Sequence, residues 1–127
     1  MKTNYKLALT LLAGVALGAA ATQVLHAQAK PPGIVVVDIS EIVDPDGFKA
    51  VTQRPTASTA TVMQGGRYIA RTANVTALDG PVPERSIIIA FDSVEKAQAW
   101  YNSPEQKKIN EIRMKTTKSH SFIAEGM

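Results

Sequence analysis

Ile34-Val35-Val36-Val37-Asp38-Ile39 is a run of β-branched residues broken by one acid. Such a run suits a strand buried on both faces, in the middle of a sheet. A second run of the same kind is Ser86-Ile87-Ile88-Ile89-Ala90-Phe91. Between them, Asp44-Pro45-Asp46 reads as a helix start, with Asp as N-cap and Pro at the first helical position. Phe48 and Val51, then Val62 and Met63, supply an apolar helix face, and Pro55 predicts a kink or two pieces. Gln64-Gly65-Gly66 ends that segment. Arg67 to Ala73 alternates as a mixed strand, with Tyr68, Ala70 and Thr72 on one side and Ile69 and Arg71 on the other. Asp79-Gly80-Pro81 marks a turn.

After the second apolar run, Asp92 and Glu95 have capping-box spacing, and Val94, Ala97, Trp100 and Tyr101 follow helical spacing. Ser103-Pro104-Glu105-Gln106 restarts a helix whose buried stripe, Ile109 and Ile112, runs to about Thr116. Ser121 to Glu125 reads as a short last strand. The order β-α-β-β-α-β is the ferredoxin-like, split βαβ arrangement: an α+β fold with a four-stranded antiparallel sheet and helices on one face. It puts the two apolar strands at the centre and the two mixed ones at the edges. The uncovered sheet face would carry Ile, Val and Phe side chains into water, which predicts a homodimer closed face to face.

The domain so defined spans 34–127. Before it, Lys2 and Lys6 precede an apolar run from Leu7 to Ala21 and a small-x-small site, Ala27-Gln28-Ala29. This is the pattern of a signal peptide, 1–29, with cleavage expected after Ala29 and, second, after Ala27. The run is short for a membrane span, so membrane contact is expected only transiently, although an uncleaved anchor is the competing reading. Residues 30–33, Lys-Pro-Pro-Gly, form a linker. The whole chain has 127 residues, 14 Lys plus Arg, 11 Asp plus Glu, two His and no Cys. Its pI of about 9.3 suggests an anionic partner such as nucleic acid. Without Lys2 and Lys6, 12 basic residues face 11 acidic ones, a net of +1, and nucleic acid drops out. The expected location is periplasmic or secreted.

Several motifs resemble one known family. They are Gly65-Gly66-Arg67-Tyr68-Ile69-Ala70-Arg71, Leu78-Asp79-Gly80, Ala99-Trp100-Tyr101-Asn102-Ser103-Pro104-Glu105 and Phe122-Ile123-Ala124-Glu125-Gly126. In that order they resemble the bacterial domain of unknown function family 1330, over about Val35 to Gly126. The family is similar to the dimeric α/β-barrel superfamily, which includes cofactor-free monooxygenases, muconolactone isomerases and haem-binding relatives of chlorite dismutase. The resemblance implies a homodimer with a pocket between sheet and helices in each subunit, and no established activity. The chain departs from the pattern at Gln106, where many members carry Tyr. It departs again in its first helix, weakened by Pro55 and a Thr/Ser/Ala-rich stretch to Thr61.

The candidate chemistry is sparse. Arg71, inside a strand, could pair with Asp38 or bind a substrate carboxylate, or could simply face solvent. Trp100 and Tyr101 could receive a small aromatic ligand, or Trp100 could be core. His120 could act as a general base, or be an exposed residue at the start of the last strand. With no Cys and one His in the domain, no metal site, and no cofactor, is expected; haem would have only His120 as an axial ligand. There is no Gly-x-Ser-x-Gly, and Gly65-Gly66 leads into a strand rather than a helix, so neither a serine hydrolase nor a phosphate loop is supported. Lys107, Lys108, Arg113, Lys115 and Lys118 read as a solvated basic helix face.

Three functions follow as expectations. The first is an exported homodimer binding a small aromatic or carboxylate-bearing molecule through Tyr68, Arg71, Trp100 and Tyr101, with Asp38 as a base. The second is a cofactor-independent monooxygenase or isomerase-like enzyme using the same pocket. The third is a non-catalytic structural or stress-linked envelope protein.

Overall fold

The computed structural model describes residues 30–127, apart from the side chains of 55–57. The expected signal segment and its cleavage site therefore lie outside the described residues. Four strands and four helices follow one another as β1 (Gly33–Ile42), α1 (Pro45–Thr52), α2 (Pro55–Met63), β2 (Arg67–Thr72), β3 (Arg85–Phe91), α3 (Val94–Tyr101), α4 (Pro104–Thr116) and β4 (Thr117–Glu125). The sheet order is β2-β3-β1-β4, with every pairing antiparallel. The two apolar strands are central, and the fold is α+β and ferredoxin-like.

Alternation along β1 separates two environments. Val35, Val37 and Ile39 are buried beneath the helices, while Ile34, Val36 and Asp38 on the other face are partly exposed. The run is thus not buried on both faces within one chain. Val35, Ile39, Ile89 and Phe91 are each no more than 2% exposed, and each contributes about 1.5–3 kcal/mol of apolar burial. Across the sheet, Val36 faces Ile88 and Phe122, and Ile34 faces Ala90 and Ala124. These side chains form the uncovered face, on which Phe122 is 49% exposed.

Local sequence explains the helix ends. Asp44 caps α1 through a bond from Gly47 N at 3.1 Å. Pro55 does split the first helical region: Arg54 before it is extended, as a residue preceding proline prefers, and α2 begins at the proline. Gly65, at φ 90°, reverses the chain after α2. The apolar face expected at Val62 and Met63 is exposed; α2 buries Thr61 instead. The cap of α3 is Ser93, which accepts from Lys96 N at 3.2 Å, rather than Asp92. Asp92 lies one residue too early to reach that amide and pairs with the Lys96 ammonium at 3.4 Å. Ser103 caps α4, with Pro104 at its first position. That helix runs directly into β4 at Thr117, so the last strand begins four residues before Ser121.

Gly33 shows how closely α3 approaches the sheet. A Cβ there would lie 2.6 Å from Ser93 O and 2.8 Å from Val94 Cα, both backbone atoms that cannot turn aside. Gly33→Ala is expected to lower stability by about 1–3 kcal/mol, as overpacking does. Urea unfolding measures this; an unchanged midpoint would contradict the close approach.

Candidate functional site

Between the sheet and the helices lies a cavity of about 80 Å³. The register orders its floor. Of the lining residues on the sheet, one level holds Tyr68 and Ile89; the next holds Arg71, Ile87 and Val37; the third holds Arg85. Levels two residues apart are separated by about 6.6 Å. The cavity therefore grades from an aromatic end to a cationic one.

Tyr68 and Arg71 share the helix side of β2 because the strand is irregular. The register shifts between Tyr68 and Ala70, so Ile69 is an extra residue. Simple alternation would put Tyr68 and Arg71 on opposite faces. With the bulge, Tyr68 stands opposite Ile89 and Arg71 opposite Ile87, and the Arg71 guanidinium lies 5.4 Å from the Tyr68 ring centre. Arg71 also donates to Ser58 Oγ of α2 at 2.6 Å and remains exposed, at the cavity mouth.

Two further arginines line the cavity. Arg85 stands opposite Ile39 on the helix side, 5.8 Å from the Phe48 ring centre. Arg113 of α4 is only 6% exposed. Its Nη1 donates to Ser119 Oγ at 2.8 Å. Arg85 Nε and Arg113 Nη2 are buried and have no hydrogen-bond partner. Among the described residues, no carboxylate lines the cavity. A buried guanidinium donor without an acceptor forfeits its hydration with no return, a cost usually met by pairing.

The helix wall is aromatic and amide-bearing. Trp100 is 4% exposed, with its ring 5.2 Å from Phe91 and its Nε1 donating to Thr61 Oγ1 at 3.1 Å. It belongs to the core and also faces the cavity. Tyr101, half-buried, lies 6.3 Å from Trp100 by ring centres. On α4, Gln106 Nε2 donates to Asn110 Oδ1 at 2.9 Å, and Asn110 Nδ2 donates to the Tyr101 carbonyl at 3.4 Å.

Of the residues singled out in the sequence, Tyr68, Arg71, Trp100 and Tyr101 converge here. Asp38 and His120 do not. Asp38 points to the uncovered face, because it alternates with Val37 and Ile39, which point inward. It can neither pair with Arg71 nor serve as a base in the cavity. It accepts from Ser86 Oγ at 3.3 Å and lies 3.8 Å from His120 Nε2 on β4. His120 is exposed, in the middle of β4 rather than at its start, and its ring stacks on Phe122 with centres 6.1 Å apart. Among the described residues, no three His, Cys, Asp or Glu side chains converge to hold a metal ion.

Sequence reasoning missed Arg85, Gln106, Asn110 and Arg113. The missed signal is Gln106, Asn110 and Arg113, spaced i, i+4 and i+7 on one helix face. This polar stripe, not Ile109 and Ile112 alone, faces inward: Asn110, Arg113 and Thr116 are buried, while the two isoleucines are only half-buried.

No curated protein matches the chain in sequence. Among solved structures, it is similar to a protein of unknown function from Rhodopseudomonas palustris, at 13% identity and TM-score 0.58, covering 85% of this chain and 92% of that one. It is similar to the cofactor-independent oxygenase SnoaB from Streptomyces nogalater, at 12% identity and TM-score 0.54, covering 76% and 94%. A dimeric ferredoxin-like protein of unknown function from Thermobifida fusca gives 15% identity and TM-score 0.54, covering 75% and 92%. At these identities the likeness is one of fold. Residues 32–127 match the family model described as Domain of unknown function (DUF1330). That match takes in all four strands and both ends of the cavity, and the chain belongs to the DUF1330 family.

Proposed function

We propose that this chain is a small-molecule-binding protein whose sheet–helix cavity takes a carboxylate-bearing ligand. One observation carries the reading: Arg85 Nε and Arg113 Nη2 are buried, unpartnered, and line a cavity that has no acid of its own. A carboxylate accepts charge-assisted bonds from such donors. The apolar and aromatic walls at Ile89, Trp100 and Tyr68 favour an apolar body on that ligand. A thermal-shift screen with small aromatic acids tests it. Acids are expected to raise the melting temperature of the wild type and to lose that effect in Arg85→Gln. No shift with any acid, or equal shifts in the variant, would overturn the reading. Binding is favoured over acid–base chemistry because Asp38 and His120, the candidate bases, sit on the far side of the sheet.

We further propose that the chain pairs through its uncovered sheet face. Phe122 is 49% exposed there and Ile69 is 56% exposed, beside the half-buried Ile34, Val36 and Ile88. The Thermobifida fusca protein of similar fold is described as dimeric. Stable pairing buries about 800 Å² per partner. Light scattering after gel filtration is expected to give twice the chain mass, and Phe122→Asp to give a folded monomer. A wild type that runs as a monomer at micromolar concentration would refute the dimer.

Export completes the proposal. The basic start, the apolar run Leu7–Ala21 and the Ala27-Gln28-Ala29 site support a mature chain that begins at Lys30. Intact mass of the exported protein is expected to lack residues 1–29; retention of Met1 would contradict cleavage.

A further inference from the structure

The cavity holds more positive charge than one carboxylate offsets. Arg71, Arg85 and Arg113 all line it, none is in an ion pair, and no acid shares the wall. The three are also not equivalent. Arg85 and Arg113 form an inner station, with their orphaned donors buried. Arg71 forms an outer station at the mouth, held by Ser58 and the Tyr68 ring. Register fixes their spacing. Arg71 is paired with Ile87, two residues beyond Arg85 on the neighbouring strand, so the two backbones lie roughly 8 Å apart.

We infer that the ligand is a small dicarboxylate, with one acid group seated on Arg85 and Arg113 and the other on Arg71. This rests on the carboxylate reading above and sharpens it: Arg71 becomes the residue that selects two acid groups over one. Its geometry suits that role. The Ser58 bond uses one nitrogen and the Tyr68 ring supports the guanidinium plane, so the side chain is oriented while still in contact with solvent. A pre-oriented guanidinium loses less freedom on binding an acid than a free one. The small cavity, about 80 Å³, also favours a compact ligand with its second acid at the mouth rather than a long apolar tail.

Trp100 is the chain's one tryptophan and faces the cavity, so its fluorescence reports occupancy directly. The test titrates the protein with glutarate against butyrate, and with isophthalate against benzoate, at constant ionic strength. Calorimetry serves as the second readout. Each dicarboxylate is expected to bind at least ten-fold tighter than its matched monoacid. Arg71→Gln is expected to bring the dicarboxylate down to the monoacid's affinity. Because Arg71 is exposed, this variant should fold, which its melting curve checks. Equal affinities within each pair, or a dicarboxylate advantage that survives Arg71→Gln, would overturn this inference while leaving monoacid binding in place. No saturable binding of any of the four acids would instead overturn the carboxylate reading, and this inference with it.

Discussion

Trp100→Ala is expected to lower the unfolding free energy by about 3–5 kcal/mol, the usual loss for a large aromatic removed from a core. The residue is 4% exposed, its ring packs on Phe91 at 5.2 Å, and its indole N–H reaches Thr61 on α2. Truncation therefore removes apolar burial, opens a void and withdraws the donor that ties α2 to α3. The void cannot close easily, because Phe91 and Ile89 belong to a central strand held on both edges. For a domain of this size the melting temperature should fall by roughly 15 °C or more. Trp100→Phe keeps most of the ring but not the donor, and should lose about 1 kcal/mol for the missing hydrogen bond in addition to its smaller packing loss. Chemical denaturation of the three proteins measures both steps. A loss below 1 kcal/mol in Trp100→Ala would mean that the indole is not part of the core.

Arg113→Met is expected to separate stability from binding. Arg113 buries a guanidinium whose Nη2 has no protein partner. Replacing a poorly compensated buried charge with an apolar side chain of similar length is often neutral or stabilising. The lost Ser119 bond works the other way, by about 1 kcal/mol. The melting temperature should therefore stay level or rise. Acid binding should fall, because a hydrogen bond to a charged group is worth about 1.5–3 kcal/mol, or roughly ten- to a hundred-fold in affinity. A variant that both binds acids as well as the wild type and melts far lower would make Arg113 a structural residue.

The fold was legible because local pattern and topology agree. The central strands are the two continuous β-branched runs, and the edge strands are the mixed ones. Helix starts carry Asp44, Ser103 and their prolines, so each boundary has a local chemical cause. Where reading failed, the cause was tertiary. Asp92 and Ser93 are both good caps by residue type, and the helix starts one residue later than the Asp92–Glu95 spacing implies, so Ser93 takes the role. The start of β4 is hidden in the sequence because a helix that passes into a strand without a loop leaves no turn residue to read.

The site was half legible. Tyr68, Arg71, Trp100 and Tyr101 could be singled out by residue type, and they do meet. Their meeting depends on the bulge at Ile69, which no residue in β2 announces. The chemistry of Asp38 alone suggests a place beside them, but strand alternation puts it on the opposite face. Arg113 was hidden among the lysines of α4, since charge composition does not reveal which cation faces inward. The periodicity Gln106, Asn110, Arg113 does reveal it, once the helix is read for polar as well as apolar stripes.

The central claim is that the inner arginines hold an acid group. Calorimetric titration of the wild type and of Arg113→Met with benzoate tests it most directly. Saturable binding at one benzoate per chain is expected, weakened at least ten-fold in a variant that melts no lower than the wild type. Absence of saturable binding in the wild type, or equal affinity in both proteins, would contradict it.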